Sequence, residues 1–309
     1  MTIAVAQHGR LGNQLFGFAT TRALIGPGVP VPIDAISPQR ADLELALRPG
    51  QTRRLTNREL LSFGRTPRIP DDSTARRFAQ SALGRLFQRL RTSPAGARML
   101  GTREFTEGWG GPIRYNPAIL DVRGPAILDG FFQNERYFRH RADDVVDALR
   151  PPDDRALVTI ADLDTRRCGR PLAAVVLRAG SDYVAYGWAL RFDWYRAAVR
   201  RLASSVGDVH LVVTSDVPLA AEAAAEALSD LAPASAITGL APVDQLHVLR
   251  QCDHAVIANS TFAWWAAWLG DHRDGFDGRR VVVAPDPWIH PDDEIVPDRW
   301  IRLPRVEGS

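Results

Sequence analysis

The chain contains no lysine, so every long basic side chain in its 309 residues is an arginine. It is also poor in cysteine, with only Cys168 and Cys252, and its formal net charge is +2. Two cysteines give neither a disulfide framework nor metal-ligand spacing. Cys252 lies between a helix pattern and a strand pattern and reads as a small buried hydrophobe. So small a net charge implies neither nucleic acid nor an anionic membrane as an obligatory partner. No apolar run approaches the length of a membrane span. No basic segment followed by an apolar one opens the chain, so the cytoplasm is the expected compartment. Over 75–91, Phe78, Leu83, Leu86, Phe87 and Leu90 recur at roughly helical spacing among arginines. That stripe reads as a helix packed on its own domain, with peripheral attachment to the inner face of the membrane as the alternative. The wealth of Ala and Arg reads as a GC-rich genome rather than as function.

The length suffices for two α/β domains. The most informative segment is Asp244 to Gly270, which reads helix, buried strand, polar turn, helix. His254 to Ala258 is a short apolar run of the kind found in a strand buried on both faces. Asn259, Ser260 and Thr261 supply N-cap chemistry for the helix that follows. Gly270 is placed to stop that helix, and Trp264, Trp265 and Trp268 read as its packing face. A helix N-terminus at the carboxyl end of a parallel strand is an anion site, and two hydroxyls there suit a phosphate.

Near the start, Thr2 to Gln7 reads as a strand, followed by a glycine turn through Gly9 and Gly12 and a helix from about Asn13 to Leu24. The Gly- and Pro-rich stretch from Gly26 to Pro38 reads as loop with short extended pieces. Ala126 to Gly130 reads as a buried strand and Arg141 to Leu149 as a helix. Pro151-Pro152 marks the expected domain boundary, giving domains 1–152 and 153–309. Beyond it, strands at Ala173–Leu177, Val209–Thr214, His254–Ala258 and Arg280–Ala284 alternate with helices at Asp193–Ala203, Leu219–Leu231, Val243–Gln251 and Thr261–Leu269. Such alternation predicts a parallel, doubly wound sheet. Arg178, Ser215-Asp216 and Asn259-Ser260 then fall at the carboxyl ends of its strands, on the edge where ligands bind.

Those groups fit a diphosphate. Arg178 offers a fixed fork of donors to phosphate oxygens, and Ser260, Thr261 and nearby amides offer neutral donors. A leaving nucleoside diphosphate gains negative charge as its glycosidic bond breaks, so donors held at that point favour the transition state. There is no Asp-x-Asp pair in a suitable loop and no His/Cys cluster, so no metal cofactor is expected.

Four segments in order resemble the bacterial α-1,2-fucosyltransferases of glycosyltransferase family 11. The stretch His8-Gly9-Arg10-Leu11-Gly12-Asn13-Gln14-Leu15-Phe16 resembles the family's Gly-x-Leu-Gly-Asn-Gln-Met-Phe opening. Gly130 to Phe138, with Gln133, Glu135, Tyr137 and Phe138, is similar to its Gly-Tyr-x-Gln-Ser-Glu-x-Tyr-Phe segment. Asn259-Ser260-Thr261-Phe262-Ala263-Trp264-Trp265 resembles Asn-Ser-Ser/Thr-Phe-Ser-Trp-Trp, and Ala284-Pro285 through Trp288 resembles a proline-tryptophan ending. The family's His-x-Arg-Arg-Gly-Asp-Tyr motif aligns with Val176 to Tyr183. Arg178 keeps the first Arg, Val176 stands for the His, Ala179 for the second Arg, and Ser181 is an insertion.

The resemblance implies a GT-B-like fold of two Rossmann-like domains with a donor cleft between them. It implies inverting, metal-independent transfer of L-fucose from GDP-β-L-fucose to a sugar hydroxyl of a glycan acceptor. The first domain would face the acceptor, with Asn13 and the Gly9/Gly12 turn across the cleft from the phosphates. Arg178 would touch the donor's β-phosphate, and Asp244 would read guanine, whose two adjacent N–H donors suit a carboxylate. Asp182 is the motif carboxylate that could take the acceptor proton, although a salt-bridge role is the preferred reading. Asp216 is a ligand-edge residue by position. Arg10 reads as solvated, and His8 as packed or solvated. The altered motif leaves two further readings: a glycosyltransferase for another nucleotide sugar, and a non-catalytic nucleotide-sugar-binding homologue.

Overall fold

The computed structural model describes residues 2–34, 41–56, 59, 60, 63, 103–107, 111–273 and 279–305. The stripe over 75–91 lies outside the described residues. The chain folds into two units. Unit 1 comprises Met1–Gly110, Tyr115–Phe132 and Arg136–Ala148, and unit 2 comprises Gly111–Arg114, Gln133–Glu135 and Leu149–Ser309. Each is built on a parallel sheet flanked by helices, the two-domain α/β architecture expected from the sequence. Among the described residues, no helix is long and apolar enough to cross a membrane.

Unit 1 holds a five-stranded sheet in the order β3-β2-β1-β5-β4. Its strands are β1 (Ile3–Ala6), β2 (Val31–Asp34), β3 (Thr52–Arg54), β4 (Arg103–Thr106) and β5 (Ala126–Asp129). β1 and β5 pair in parallel, and their apolar residues are buried because helices and loops cover both faces. β2 is one of the short extended pieces expected between Gly26 and Pro38; it reads Val-Pro-Ile-Asp, and Pro32 removes a donor that a strand normally offers. Helix α1 (Leu11–Ile25) is buried almost all round, down to Arg22. That guanidinium donates to Val29 O at 2.7 Å and Gln51 Oε1 at 2.6 Å, closing the loop behind the helix. The helix begins two residues before its expected start, which places Gly12 inside it rather than in the turn. The turn's left-handed residue is Gly9, at φ +66°. A Cβ there would strike the Asn13 side chain, so the position needs glycine on two counts. The unit also contains α2 (Ala41–Ala46) and α3 (Ala142–Ala148).

Unit 2 holds six parallel strands in the order β11-β10-β9-β6-β7-β8. They are β6 (Leu172–Leu177), β7 (His210–Ser215), β8 (Ala234–Ala236), β9 (His254–Ile257), β10 (Val282–Asp286) and β11 (Ile301–Pro304). The helices are α4 (Asp154–Arg166), α5 (Ser181–Ala185), α6 (Phe192–Val206), α7 (Pro218–Leu228), α8 (Pro242–Arg250) and α9 (Thr261–Asp271). β6 and β7 are buried throughout, and a core of their apolar side chains with Trp194, Val199 and Leu202 of α6 holds one face. The chain starts at β6, winds outward through β7 and β8, then returns beside β6 with β9 and winds the other way. That reversal is the doubly wound pattern, and its switch point lies between β6 and β9.

α9 does not stop at Gly270 as the sequence suggests; it continues to Asp271. Gly270 serves packing instead, because a Cβ would collide with the Arg280 guanidinium. Arg280 is fully buried and faces Asp271 at 3.3 Å. The tryptophans are packing, as expected. Trp264, Trp265 and Trp268 are buried, with Trp264 Nε1 donating to Ile295 O at 2.9 Å and Trp268 Nε1 to Glu135 Oε2 at 3.1 Å. Glu135 also pairs with Arg299 at 2.7 Å, and Asn134 Nδ2 donates to Glu294 O at 2.7 Å. The polar residues Asn134 and Glu135 of the Gly130–Phe138 motif therefore act as struts within unit 2. Cys252 is fully buried, and desolvation pushes its thiol up to about 12.

Candidate functional site

The carboxyl edge of the unit 2 sheet gathers the chemistry. Arg178 follows β6, Asp216 follows β7, Asn259 and Ser260 follow β9, and Arg305 follows β11. β6 and β9 flank the switch point, where the outgoing chains part and leave a crevice.

Arg178 is the centre of this cluster. Its side chain is 12% exposed, and its two terminal nitrogens bond Asp216 and, at 2.7 Å, Asp182. The guanidinium carbon lies 4.6 Å from the centroid of the Tyr183 ring. Asp182 stands four residues on, at the start of α5, so one short turn brings the pair together. Asp216 also accepts from Ala179 N at 2.8 Å, fixing the backbone beyond β6. Tyr183 Oη donates to Asn259 O at 3.0 Å, tying α5 to the end of β9. Tyr195 Oη accepts from Arg178 N at 3.4 Å. Burial raises both phenol pKa values, while the Arg178 charge opposes the shift at Tyr183, so both hydroxyls stay protonated. One arginine between two carboxylates gives the immediate cluster a net charge of one negative. The Arg178 fork is thus held rigidly, and a phosphate must share it with Asp182 or Asp216.

Ser260 is the N-cap of α9, at φ −122° and ψ 131°, but its side chain makes no capping bond. This corrects the expected capping by the Asn-Ser-Thr turn. Asn259 spends its amide on Trp188 O at 3.0 Å, and the first turn closes through Trp264 N to Ser260 O at 2.8 Å. The leading amides of α9 lie beside the switch point, where a helix end carries partial positive charge. Asn259 is 1% exposed, and its Oδ1 is buried without a hydrogen-bond partner.

The remaining expected residues separate. Asp244 is 1% exposed in the first turn of α8. Its Oδ2 accepts from Arg150 at 2.6 Å and its Oδ1 from Asp153 N at 3.2 Å. Burial works to raise its pKa, but the hydrogen bonds and charge of Arg150 prevail and hold it below the usual carboxylate value. The carboxylate expected to read guanine is thus committed to tying the Arg150–Asp153 segment to α8. Gly12 and Asn13 lie in the first turn of α1, in unit 1. His8 in unit 1 is packed edge-on against Phe131, and its Nε2 pairs with Asp129 Oδ1 at 2.7 Å. A cavity of about 930 Å³ lies at the amino edge of the unit 1 sheet, lined by Ile3, Pro30, Val122, Arg53, Arg123 and Arg139. It contains none of the expected site residues. Among the described residues, no group of three or more His, Cys, Asp or Glu is placed to hold a metal ion.

Sequence reasoning missed Tyr195, Trp188 and Arg305. Trp188 O is the hub of the α5–α6 loop, accepting from Asn259 and, at 3.4 Å, from Arg305. Tyr195 was hidden in an ordinary amphipathic helix, and Arg305 follows a strand without an apolar run. Tyr183 was visible, since it closes the altered donor motif.

Residues 181–287 match the family model for Glycosyl transferase family 11. Over 194 residues the chain is 25% identical to an alpha-1,2-colitosyltransferase of Escherichia coli, covering 59% of this chain and 64% of that protein. Over 131 residues it is 28% identical to the O-antigen biosynthesis glycosyltransferase WbnK of Escherichia coli, covering 40% of this chain and 41% of that one. The chain therefore spans less than two thirds of the length of these curated relatives. Among solved structures, POFUT1 in complex with GDP is similar at a TM-score of 0.46 and 15% identity, over 92% of this chain and 98% of that one. The likeness to glycosyltransferase family 11 read from the motifs is thereby shown, and the match runs from Ser181, beside the Arg178 cluster, through the whole turn from Asn259 to Trp265.

Proposed function

We propose that the chain transfers L-fucose from GDP-β-L-fucose to a hydroxyl of a glycan acceptor, of galactoside type, with inversion to an α-1,2 linkage. The observation that carries this reading is Arg178, held by Asp182 and Asp216 at the switch point beside the N-terminus of α9. In an inverting transfer the acceptor oxygen attacks the anomeric carbon as the diphosphate leaves from the opposite face. Charge then builds on the β-phosphate. The Arg178 fork, which the diphosphate shares with Asp182 and Asp216, and the amides of α9 stabilise that charge from fixed positions. They supply what a divalent cation would otherwise provide, so no metal is required. Asp182, engaged with Arg178, positions the fork rather than taking the acceptor proton. The family likeness supports guanine as the nucleobase, and Asp244 would reach it by loosening its hold on Arg150.

The test is a donor screen with the purified protein, scoring nucleotide release and transfer to galactoside acceptors. GDP-fucose should be turned over in preference to UDP- and ADP-sugars. A second reading, a colitosyl donor, draws support from the activity for which the first relative is named and from Val176 in place of the family's His. Turnover with a colitosyl donor but not with a fucosyl donor would select it. Tight GDP binding without turnover of any donor would favour a non-catalytic homologue.

A further inference from the structure

We propose that Arg305 receives the diphosphate of the nucleotide donor, together with the first turn of α9. This rests on the donor-binding reading above. Arg305 follows β11, and its backbone N–H donates to Asp286 O at 2.8 Å, which anchors it to the end of β10. Among the described residues its guanidinium donates to carbonyls alone, Trp288 O at 3.3 Å and Trp188 O at 3.4 Å. Among the described residues no carboxylate lies within ion-pair distance of it. Arg178, at the same edge, is bracketed by two carboxylates. An incoming anion must compete for Arg178, whereas Arg305 has only two long bonds to neutral oxygens to give up. A half-buried cation without a counter-ion has lost hydration without recovering it from a charge partner, and burial accordingly lowers its pKa. A phosphate would restore the missing interaction with two charge-assisted bonds.

A second, independent observation marks the same place. Trp188 O, which accepts from Arg305, also accepts from Asn259 Nδ2, and Asn259 leads directly into α9. The other amide atom, Asn259 Oδ1, is buried and unsatisfied. An unmet acceptor beside a helix N-terminus suits a ligand with hydroxyls next to its phosphates, as a nucleotide sugar has.

The experiment is calorimetric titration of the full chain with GDP and with guanosine. R305A should weaken GDP binding by about tenfold to a hundredfold and leave guanosine within about twofold, since only the phosphates are read. R305K should keep part of the affinity and of its salt dependence, because charge survives while the fork is lost. GDP binding by R305A within about twofold of wild type would overturn the assignment, as would an equal loss for GDP and guanosine, which would mean a structural role. If the wild type prefers UDP or ADP, the same comparison is made with that nucleotide and its nucleoside. The fucose reading then falls while Arg305 is still judged. A wild type that binds no nucleoside diphosphate overturns both.

Discussion

Replacing Arg178 by alanine separates the proposed role from a structural one, because the surroundings limit what the fold should lose. The side chain is 12% exposed, but its partners Asp182 and Asp216 are 44% and 22% exposed, so water screens both pairs. Each pair then contributes about 0.5–1 kcal/mol, and the Tyr183 ring about 0.5–1 kcal/mol more. Asp216 retains the Ala179 amide as a donor after the change. The stability loss should therefore be about 1–3 kcal/mol, within what most domains tolerate. Turnover should suffer far more. A charge-assisted bond to phosphate is worth about 1.5–3 kcal/mol in the ground state, and loss of a donor aimed at developing charge costs roughly a hundred- to a thousandfold in rate. Removing Arg178 also leaves two carboxylates facing the phosphate, which adds repulsion. R178A should melt roughly 2–12 °C lower and lose at least about a hundredfold in kcat/KM for nucleotide release. R178K should recover little, because a point charge cannot bridge two carboxylates and a phosphate. Wild-type-like turnover in R178A would remove Arg178 from the mechanism and with it the carrying observation of the proposed function.

Ser260→Ala should cost well under the ~1 kcal/mol typical of a lost N-cap, since Ser260 makes no capping bond, yet weaken GDP binding. Thermal melting and titration of the same variant check both halves. Asp244→Asn should lower stability by about 1–3 kcal/mol by breaking the buried end of the Arg150 pair; urea denaturation measures it, and unchanged stability with selective loss of GDP over UDP would restore the guanine role. Activity should persist in excess chelator; abolition by chelator and rescue by magnesium or manganese would show that Arg178 and α9 do not replace a metal.

What was legible in the sequence follows strand position. β6, β7 and β9 are internal strands of unit 2, and their burial on both faces demands near-continuous apolar runs such as Leu-Ala-Ala-Val-Val-Leu. The residues that end such runs, Arg178, Asp216 and Asn259, could therefore be placed on one edge from the sequence alone. The Arg178–Asp182 pair was also within reach, being four residues apart. Edge strands carry no such mark. β8 and β11 have one neighbour each and read Ala-Ser-Ala and Ile-Arg-Leu-Pro. The edge strands of unit 1, β3 and β4, are short and charged, reading Thr-Arg-Arg and Arg-Glu-Phe-Thr. Such segments become strands because a neighbour's ladder waits for them, a tertiary effect that propensity does not encode. Partners distant in sequence are hidden for the same reason. The family likeness offered the carboxylate of Asp244 to guanine, and nothing local in the sequence shows that the fold brings Arg150 to it across 94 residues. Arg305 is the converse case. Its sequence context shows a charged residue after an unremarkable segment, and its distinction is that among the described residues it has no carboxylate partner, at an edge that holds Asp182, Asp216 and Asp286. A charged group is thus best judged by its unmet needs in the folded chain, and by that measure the cation poised for an anion at this edge is Arg305, while Arg178 must first share its two carboxylates.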